Sequence, residues 1–292
     1  MEKRKLTFIE KLSAYHLMTN FIVFWTLILI NIVAFIIYAA FPAINQNEVW
    51  SNVFIAIFTG LFATIIGNGA EMYIAYRNEE RGEFLEDIYS FGIEALSQRK
   101  DIVLQDALKK CKNTIWISGY RLILTDRLKG DFAAAVKKGA DTDVVVCPPW
   151  MQAFVLTYGN DETVLDNYFR VFHALFEASK IKKTKVQVVF SEKPLFSDTY
   201  RIDSKIVTGP YLHNRDDEFN RIMAKDFFTY VVGPEKPLFS LMEDEFLTLR
   251  EEAVEVLDHM KFEEIYKQYE TEGSRMSEQE KIALLRKAVV KK

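Results

Sequence analysis

Two long uncharged stretches near the start constrain this chain more than anything else in it. Residues 21–40 (FIVFWTLILINIVAFIIYAA) carry no charge, and Thr26 and Asn31 are their only strongly polar members. A second apolar run extends from about Trp50 to about Tyr76, with Glu71 as its only charge. At about 1.5 Å rise per residue, some twenty helical residues cross the roughly 30 Å hydrocarbon core of a bilayer. The connecting segment 41–49 is too short to hold a domain, so the two spans (about 20–40 and 52–74) are expected to form a tight transmembrane hairpin.

The flanks set its orientation. Lys3, Arg4, Lys5 and Lys11 precede the first span and Arg77 and Arg81 follow the second, whereas the loop has Glu48 and no Lys or Arg. The positive-inside rule then puts both termini in the cytoplasm, for a multi-pass protein of a bacterial inner membrane. Trp50 at the outer boundary and Tyr73 or Tyr76 at the inner one fit interfacial anchors. The first stretch is too long for the apolar region of a signal peptide and lacks a small-x-small cleavage site after it, so a retained anchor is expected.

The second span is the more polar of the two. Gly60, Thr64, Gly67 and Asn68 are small or polar residues of the kind that let helices approach closely or that seek a partner in lipid. They imply either a self-association surface, and so a homo-oligomer, or ordinary packing within the hairpin with Asn68 and Glu71 at the inner interface. Residues 1–17 place Leu6, Ile9, Leu12 and Tyr15 at helical spacing. That pattern fits an amphipathic cytoplasmic segment lying on the inner leaflet, or a helical extension of the first span.

The remaining chain is long enough, within 292 residues, for one sizeable soluble domain. A formal net charge of −4 argues against a globally basic nucleic-acid binder. Cys111 and Cys147 have no CxxC context, as expected of reduced thiols in the cytosol. Residues 77–112 are expected to form a helical connector, broken near 92–100. Short strands are then expected at 114–118, 143–147, 185–190, 200–208 and 227–232. Helices are expected over 122–138, over 151–180 with a turn at Gly159-Asn160, and as one long helix or a pair over 238–269. Strands interleaved with helices, several of them continuous Val-rich runs, predict an α/β domain with a sheet covered on both faces. In the tail, 259–292, Ser277 with Glu280 three positions later predicts a capping box before a basic helix.

Motifs for phosphate, metal or nucleophilic chemistry are not evident. The glycines never cluster as GxGxxG or GxxxxGK, and GxSxG, HExxH and Cys/His metal spacings are lacking, so no cofactor and no metal are expected. His173 sits in an apolar helical stretch as a packed core residue. The polar loop His213–Asp217 fits a solvated loop better than an anion or metal site. The literal H-x-K at His259 and Lys261 puts its two side chains on different faces of a helix.

Four stretches carry a resemblance. IWISGY (115–120) with AVKKGADTDVVVCPP (135–149), VQVVF (186–190), YRIDSKIVTGPYL (200–212), and FFTYVV followed by PLFSLMEDEFLTLREEA resemble one module of the phospholipase D superfamily, over about 113–258. The family's active segment is HxKxxxxD, on a strand and the turn after it, with the His as nucleophile and the Lys holding phosphate. Aligned on YRIDSKIVTGP, Asp203 falls at the His position, Lys205 at the Lys and Pro210 at the Asp. A carboxylate cannot replace the imidazole in that chemistry without another mechanism. The resemblance therefore implies the fold and argues against the activity. Arg201, Asp203 and Lys205 would alternate on one strand face. There they would hold a phosphate of a nucleotide or nucleic acid, or Asp203 would neutralise both cations.

The expected fold class is thus α/β: an N-terminal two-helix transmembrane hairpin followed by a degenerate phospholipase D-like α/β domain with a helical C-terminal tail. Two spans, a short outer loop and a sensor-like domain resemble the membrane effectors of bacterial antiphage systems, including those paired with retron reverse transcriptases. That resemblance implies a non-enzymatic toxin held silent by a cytosolic partner, a reverse transcriptase with its RNA–DNA product, with nucleic acid or membrane lipid as direct ligands. The alternatives are a cyclic-nucleotide-gated effector, a membrane-tethered phosphodiesterase or nuclease, and a plain anchored scaffold.

Overall fold

The structure, a computed structural model, describes residues 7–152, 154, 164–210, 212–213, 222–223 and 229–292. The turn expected at Gly159-Asn160, residues 214–217 of the polar loop and the first two residues of the strand expected over 227–232 lie outside them. The chain divides into two compact units, Met1–Asp87 and Ile88–Lys292.

In the first unit, α1 (Phe8–Ala14) precedes α2 (Met18–Ala40), the short α3 (Pro42–Asn45) and the 44-residue α4 (Glu48–Phe91), whose last turn reaches into the second unit. Both α2 and α4 are long and apolar enough to cross a membrane, and the most apolar window of each has none of its residues buried. Trp25, Leu29, Phe62 and Ile66 are all more than half exposed. An apolar surface of that extent is unfavourable in water and ordinary against lipid.

The two helices run antiparallel and meet through large side chains. Phe35 packs edge-on against Phe58 at 5.7 Å between ring centroids, Tyr38 lies 5.9 Å from Phe54, and the Tyr38 hydroxyl is 2.9 Å from Ser51 Oγ. At the other end, a Cβ added at Gly69 would come within 3.0 Å of the Phe24 ring, so glycine is what lets the helices close there. Helix α4 turns one seam toward α2: Phe54, Phe58, Leu61, Ile65, Asn68 and Met72 are partly buried, at the three-and-four spacing of a helix–helix contact.

Helix α1 neither continues α2 nor lies free of it. The backbone turns at His16, with φ of 57°, and α1 docks by Leu12 and Tyr15 against Ala75 and Tyr76 of α4. A reciprocal capping box between Thr7 and Glu10 starts it. Lys11 Nζ pairs with Glu80 Oε1 at 3.0 Å, and the Tyr15 hydroxyl donates to Glu83 at 2.8 Å. Burial, with Glu83 adding to it, pushes the Tyr15 phenol up to about 12.

In the second unit, nine strands form one mixed sheet in the order β1-β9-β6-β5-β2-β3-β4-β10-β11. Its centre is parallel: β2 (Thr114–Gly119), β3 (Asp141–Val146) and β4 (Val186–Phe190). Val-rich β3 and β4 bury Val144 to Val146 and Val188 to Phe190, the continuous apolar pattern of strands covered on both faces. Antiparallel strands flank this centre. On one side are β5 (Ser197–Ile202), β6 (Lys205–Pro210), β9 (Thr229–Val232) and β1 (Ile93–Ser97). On the other are β10 (Glu255–Leu257) and β11 (Val289–Lys291). A separate two-stranded ladder pairs β7 (Leu212–His213) with β8 (Ile222–Met223).

The helices are α5 (Lys100–Lys110), α6 (Ile123–Arg127), α7 (Lys129–Lys138), α8 (Val164–Lys182), α9 (Pro237–Glu251), α10 (His259–Glu272) and α11 (Glu278–Lys287). One sheet face packs against α7, where Phe132 meets Tyr200 of β5. The other packs against α9, where Phe246 stacks on Trp116 of β2 at 4.6 Å. The capping box expected at Ser277 and Glu280 is present in both directions.

Three expected elements differ. The connector does not merely break near 92–100: it forms β1, an edge strand on β9. Gly92 makes the turn into it at a φ of 123°, where a Cβ would also strike Lys236 at 2.9 Å. Over 238–269 the pair of helices forms, α9 and α10, with the unexpected strand β10 between them, and the basic end of the tail is the strand β11 that pairs with it. The single strand expected over 200–208 is a hairpin, with Ile202 opposite Lys205 and a tight turn between them.

Candidate functional site

Open α/β sheets bind ligands in the crevice at the carboxyl ends of their parallel strands, where the connections diverge. Here that crevice lies between the end of β2 and the start of β5, since β3 and β4 both follow on the other side of β2. Four polar side chains converge there: Lys100 from the first turn of α5, Thr125 from α6, and Asp198 and Tyr200 from β5. Lys100 Nζ donates to the backbone carbonyl of Asp198 and lies 3.2 Å from its Oδ2. The ammonium also sits 5.2 Å from the centre of the Tyr200 ring, and the Tyr200 hydroxyl is 3.1 Å from Thr125 Oγ1.

This cluster is closed. Lys100 is 6% exposed, and Thr125 and Tyr200 are fully buried. Burial pulls the Lys100 pKa down, and the charge of Asp198 opposes that. Burial pushes the Tyr200 phenol well above its ordinary range, with the Asp198 carboxylate adding to it. The neighbouring strand ends are closed as well: the Tyr168 hydroxyl donates to the carbonyls of Tyr120 and Cys147, where β2 and β3 finish. The Tyr120 hydroxyl in turn accepts from the amide of Leu195.

The hairpin changes the position of all three residues expected to share a strand face. Asp203 is not on a strand. It occupies the turn after β5 at a φ of 50°, a left-handed conformation that Asp tolerates better than most residues. Its carboxylate accepts the amides of Lys112, Asn113 and Thr114 at 2.8, 2.9 and 2.9 Å, pinning the start of β2. Burial raises its pKa, but those amide bonds outweigh it and hold the carboxyl below its usual range. Arg201 faces α9, pairs with Glu243 and stacks over Trp116 at 4.1 Å. Lys205 is on β6, half exposed, 3.4 Å from Glu94 of β1. The three are thus distributed over β5, the turn and β6; Arg201 Nε also donates to the backbone carbonyl of Asp203 at 2.9 Å, while Lys205 is engaged elsewhere.

Two of the histidines, His173 and His259, have structural partners. His173 stacks on Tyr266 at 3.7 Å, and burial lowers its pKa. His259 Nε2 lies 2.9 Å from Glu263, with the ring on Phe176. Among the described residues, no group of three His, Cys, Asp or Glu is placed to hold a metal ion.

In the first unit, the four singled-out residues of α4 divide. A Cβ at Gly60 or Gly67 would meet nothing within 4 Å. Thr64 turns its hydroxyl back to the Gly60 carbonyl at 2.8 Å and is exposed. These three lie away from α2, whereas Asn68 is partly buried on the seam that faces it.

No known family model matches the chain and no curated protein matches it. Solved structures do. TrmBL2, an archaeal chromatin protein, is 13% identical with a TM-score of 0.35, the match covering 67% of this chain and 69% of that one. NucT from Helicobacter pylori is 14% identical with a TM-score of 0.32, over 55% and 96%. The phosphatidylserine synthase of Haemophilus influenzae Rd KW20 is 14% identical with a TM-score of 0.38, over 59% and 42%. All three scores lie below 0.5, and the likeness says nothing of what this chain binds or does.

Proposed function

We propose that this chain is a non-enzymatic membrane effector in which the hairpin does the damage and the α/β unit controls it. A cytosolic partner complex, a reverse transcriptase with its RNA–DNA product as in retron-like antiphage systems, holds it silent. Released during infection, copies assemble in the bacterial inner membrane and disrupt it. The observation that carries this reading is the division of α4. Gly69 is spent on closing the hairpin, while Gly60, Thr64 and Gly67 present small side chains on a face that α2 leaves free. Small residues on a lipid-facing helix surface are where transmembrane helices come together. The crevice of the α/β unit supports it too: it holds a buried lysine matched to an acid, Lys100 with Asp198.

The test is expression of the full chain without its neighbours, with membrane potential and entry of an impermeant dye followed in the same cells. Loss of potential at or before growth arrest is expected. Arrest with potential intact would remove the membrane-damage reading. Hydrolysis of a phosphodiester by the purified chain would replace it with an enzymatic one.

A further inference from the structure

We infer that the α/β unit carries an anionic-lipid docking ridge, built from the three connections that enter its parallel strands. Helices α5, α7 and α8 all end at the same edge of the sheet, because each leads into one of β2, β3 and β4. The first connection exposes Lys109, Lys110 and Lys112, the second Lys137 and Lys138, and the third Lys182, Lys183 and Lys185. Backbone bonds lace the three together: the amide of Asp141 donates to Asn113 O, and that of Thr142 to Lys185 O, each at 2.8 Å. The lysines form one continuous surface.

Part of this charge has a structural use. Helix C-termini carry partial negative charge, and Lys138 and Lys182 cap carbonyls of the neighbouring connection, Lys109 O at 3.4 Å and Lys138 O at 3.0 Å. That accounts for two lysines of eight. Asp106 reaches Lys109 at 3.7 Å. Of the nearby carboxylates, Asp141 accepts the amide of Lys185, Asp203 of the β5–β6 turn accepts the three amides that begin β2, and Glu177 pairs with Lys180. Among the described residues, Lys110, Lys112, Lys137, Lys183 and Lys185 have no carboxylate partner.

The chemistry of the ridge selects its occupant. Its cations are all lysines, with no arginine among them. Its exposed apolar residue is Ile181, 63% accessible and flanked by Lys180 and Lys182. Recognition of bases uses bidentate arginine and aromatic faces to stack on. A layer of anionic headgroups takes compact point charges together with an aliphatic tip that enters the boundary below them. The occupant we assign is therefore the surface of an anionic bilayer.

The inference draws on the membrane reading for the source of that surface, and the experiment keeps the two apart. The full chain is held by its hairpin in nanodiscs of phosphatidylcholine alone and mixed with a separate population of vesicles. Capture by vesicles containing phosphatidylglycerol, and not by phosphatidylcholine vesicles, is expected, and it should weaken as salt rises. At roughly five-fold per lysine near an anionic surface, Lys110→Glu/Lys137→Glu/Lys183→Glu should lose capture by at least about 100-fold. Ile181→Asp should weaken it with the lysines intact. Equal capture by neutral vesicles, unchanged capture by the triple variant with an unaltered melting profile, or displacement by a short DNA duplex at lower charge concentration than the lipid would overturn the assignment. Whether the hairpin spans a membrane is read separately, from resistance of the expressed chain to alkaline carbonate extraction.

Discussion

Lys100 and Asp198 are 98 positions apart in sequence and share one closed site, with Nζ 3.2 Å from Oδ2. A buried pair is costly to break and easy to replace as a whole. Removing one partner leaves the other charge desolvated, at about 3–5 kcal/mol, whereas an apolar pair of similar volume is often neutral. Lys100→Met and Asp198→Asn are each expected to destabilise the α/β unit by about 3 kcal/mol in denaturant unfolding. Lys100→Met/Asp198→Leu should recover most of that. Single variants as stable as the parent would mean that the site is wetter than its burial indicates.

Asp203 acts as a clasp, and its pH dependence has a definite sign. Its folded carboxyl is held below the ordinary Asp value of about 3.9, so its contribution is fully present above that pH. The contribution is lost as pH falls through the depressed folded value. Asp203→Asn keeps a residue that tolerates the left-handed turn, removes the charge and replaces one of the two accepting oxygens with an NH2 donor. Its stability deficit, about 2 kcal/mol near neutrality for the charge-assisted amide bonds, should shrink steadily below pH 4. Unfolding midpoints of both proteins measured at pH 7, 5 and 3 give the comparison, and a gap that stays constant would refute the charge argument.

Both thiols should be inert in the folded chain. Burial pushes Cys111 up to about 11, with Asp203 adding to it, and Cys147 up to about 12. The thiolate is the reactive form, so an alkylating reagent at pH 8 should label neither cysteine until the chain is unfolded. Rapid labelling of Cys111 under native conditions would show that the clasp at Asp203 opens.

What was legible in the sequence was what local pattern determines. The two long apolar helices, the Val-rich central strands and the capping box at Ser277 announce themselves in residues close together in the chain. The β5–β6 hairpin was missed because Asp203-Ser204 lacks the glycine that usually marks so tight a turn, and because alternation continues across it from Arg201 to Lys205. The strands β10 and β11 are three residues each, too short for a period, and exist because β4 offers an edge. Lys100, in the run SQRKDIVL, looks like any solvated lysine. Its burial depends on Asp198, which no local signal connects to it.

The two kinds of glycine in α4 give a test that separates folding of the hairpin from its assembly. At Gly69 any side chain must push against the Phe24 ring, so Gly69→Leu should pry α2 from α4 and lower the amount of chain stably inserted. At Gly60 and Gly67 the single chain leaves open space, so Gly60→Leu and Gly67→Leu should insert as well as the parent. If copies meet on that face, the added bulk holds helix backbones apart, and cross-linking between copies should fall together with membrane damage. Insertion is read from carbonate resistance, assembly from cross-linking in the membrane, and damage from dye entry. Gly60→Leu and Gly67→Leu chains that insert, cross-link and depolarise like the parent would place the assembly surface elsewhere on the hairpin.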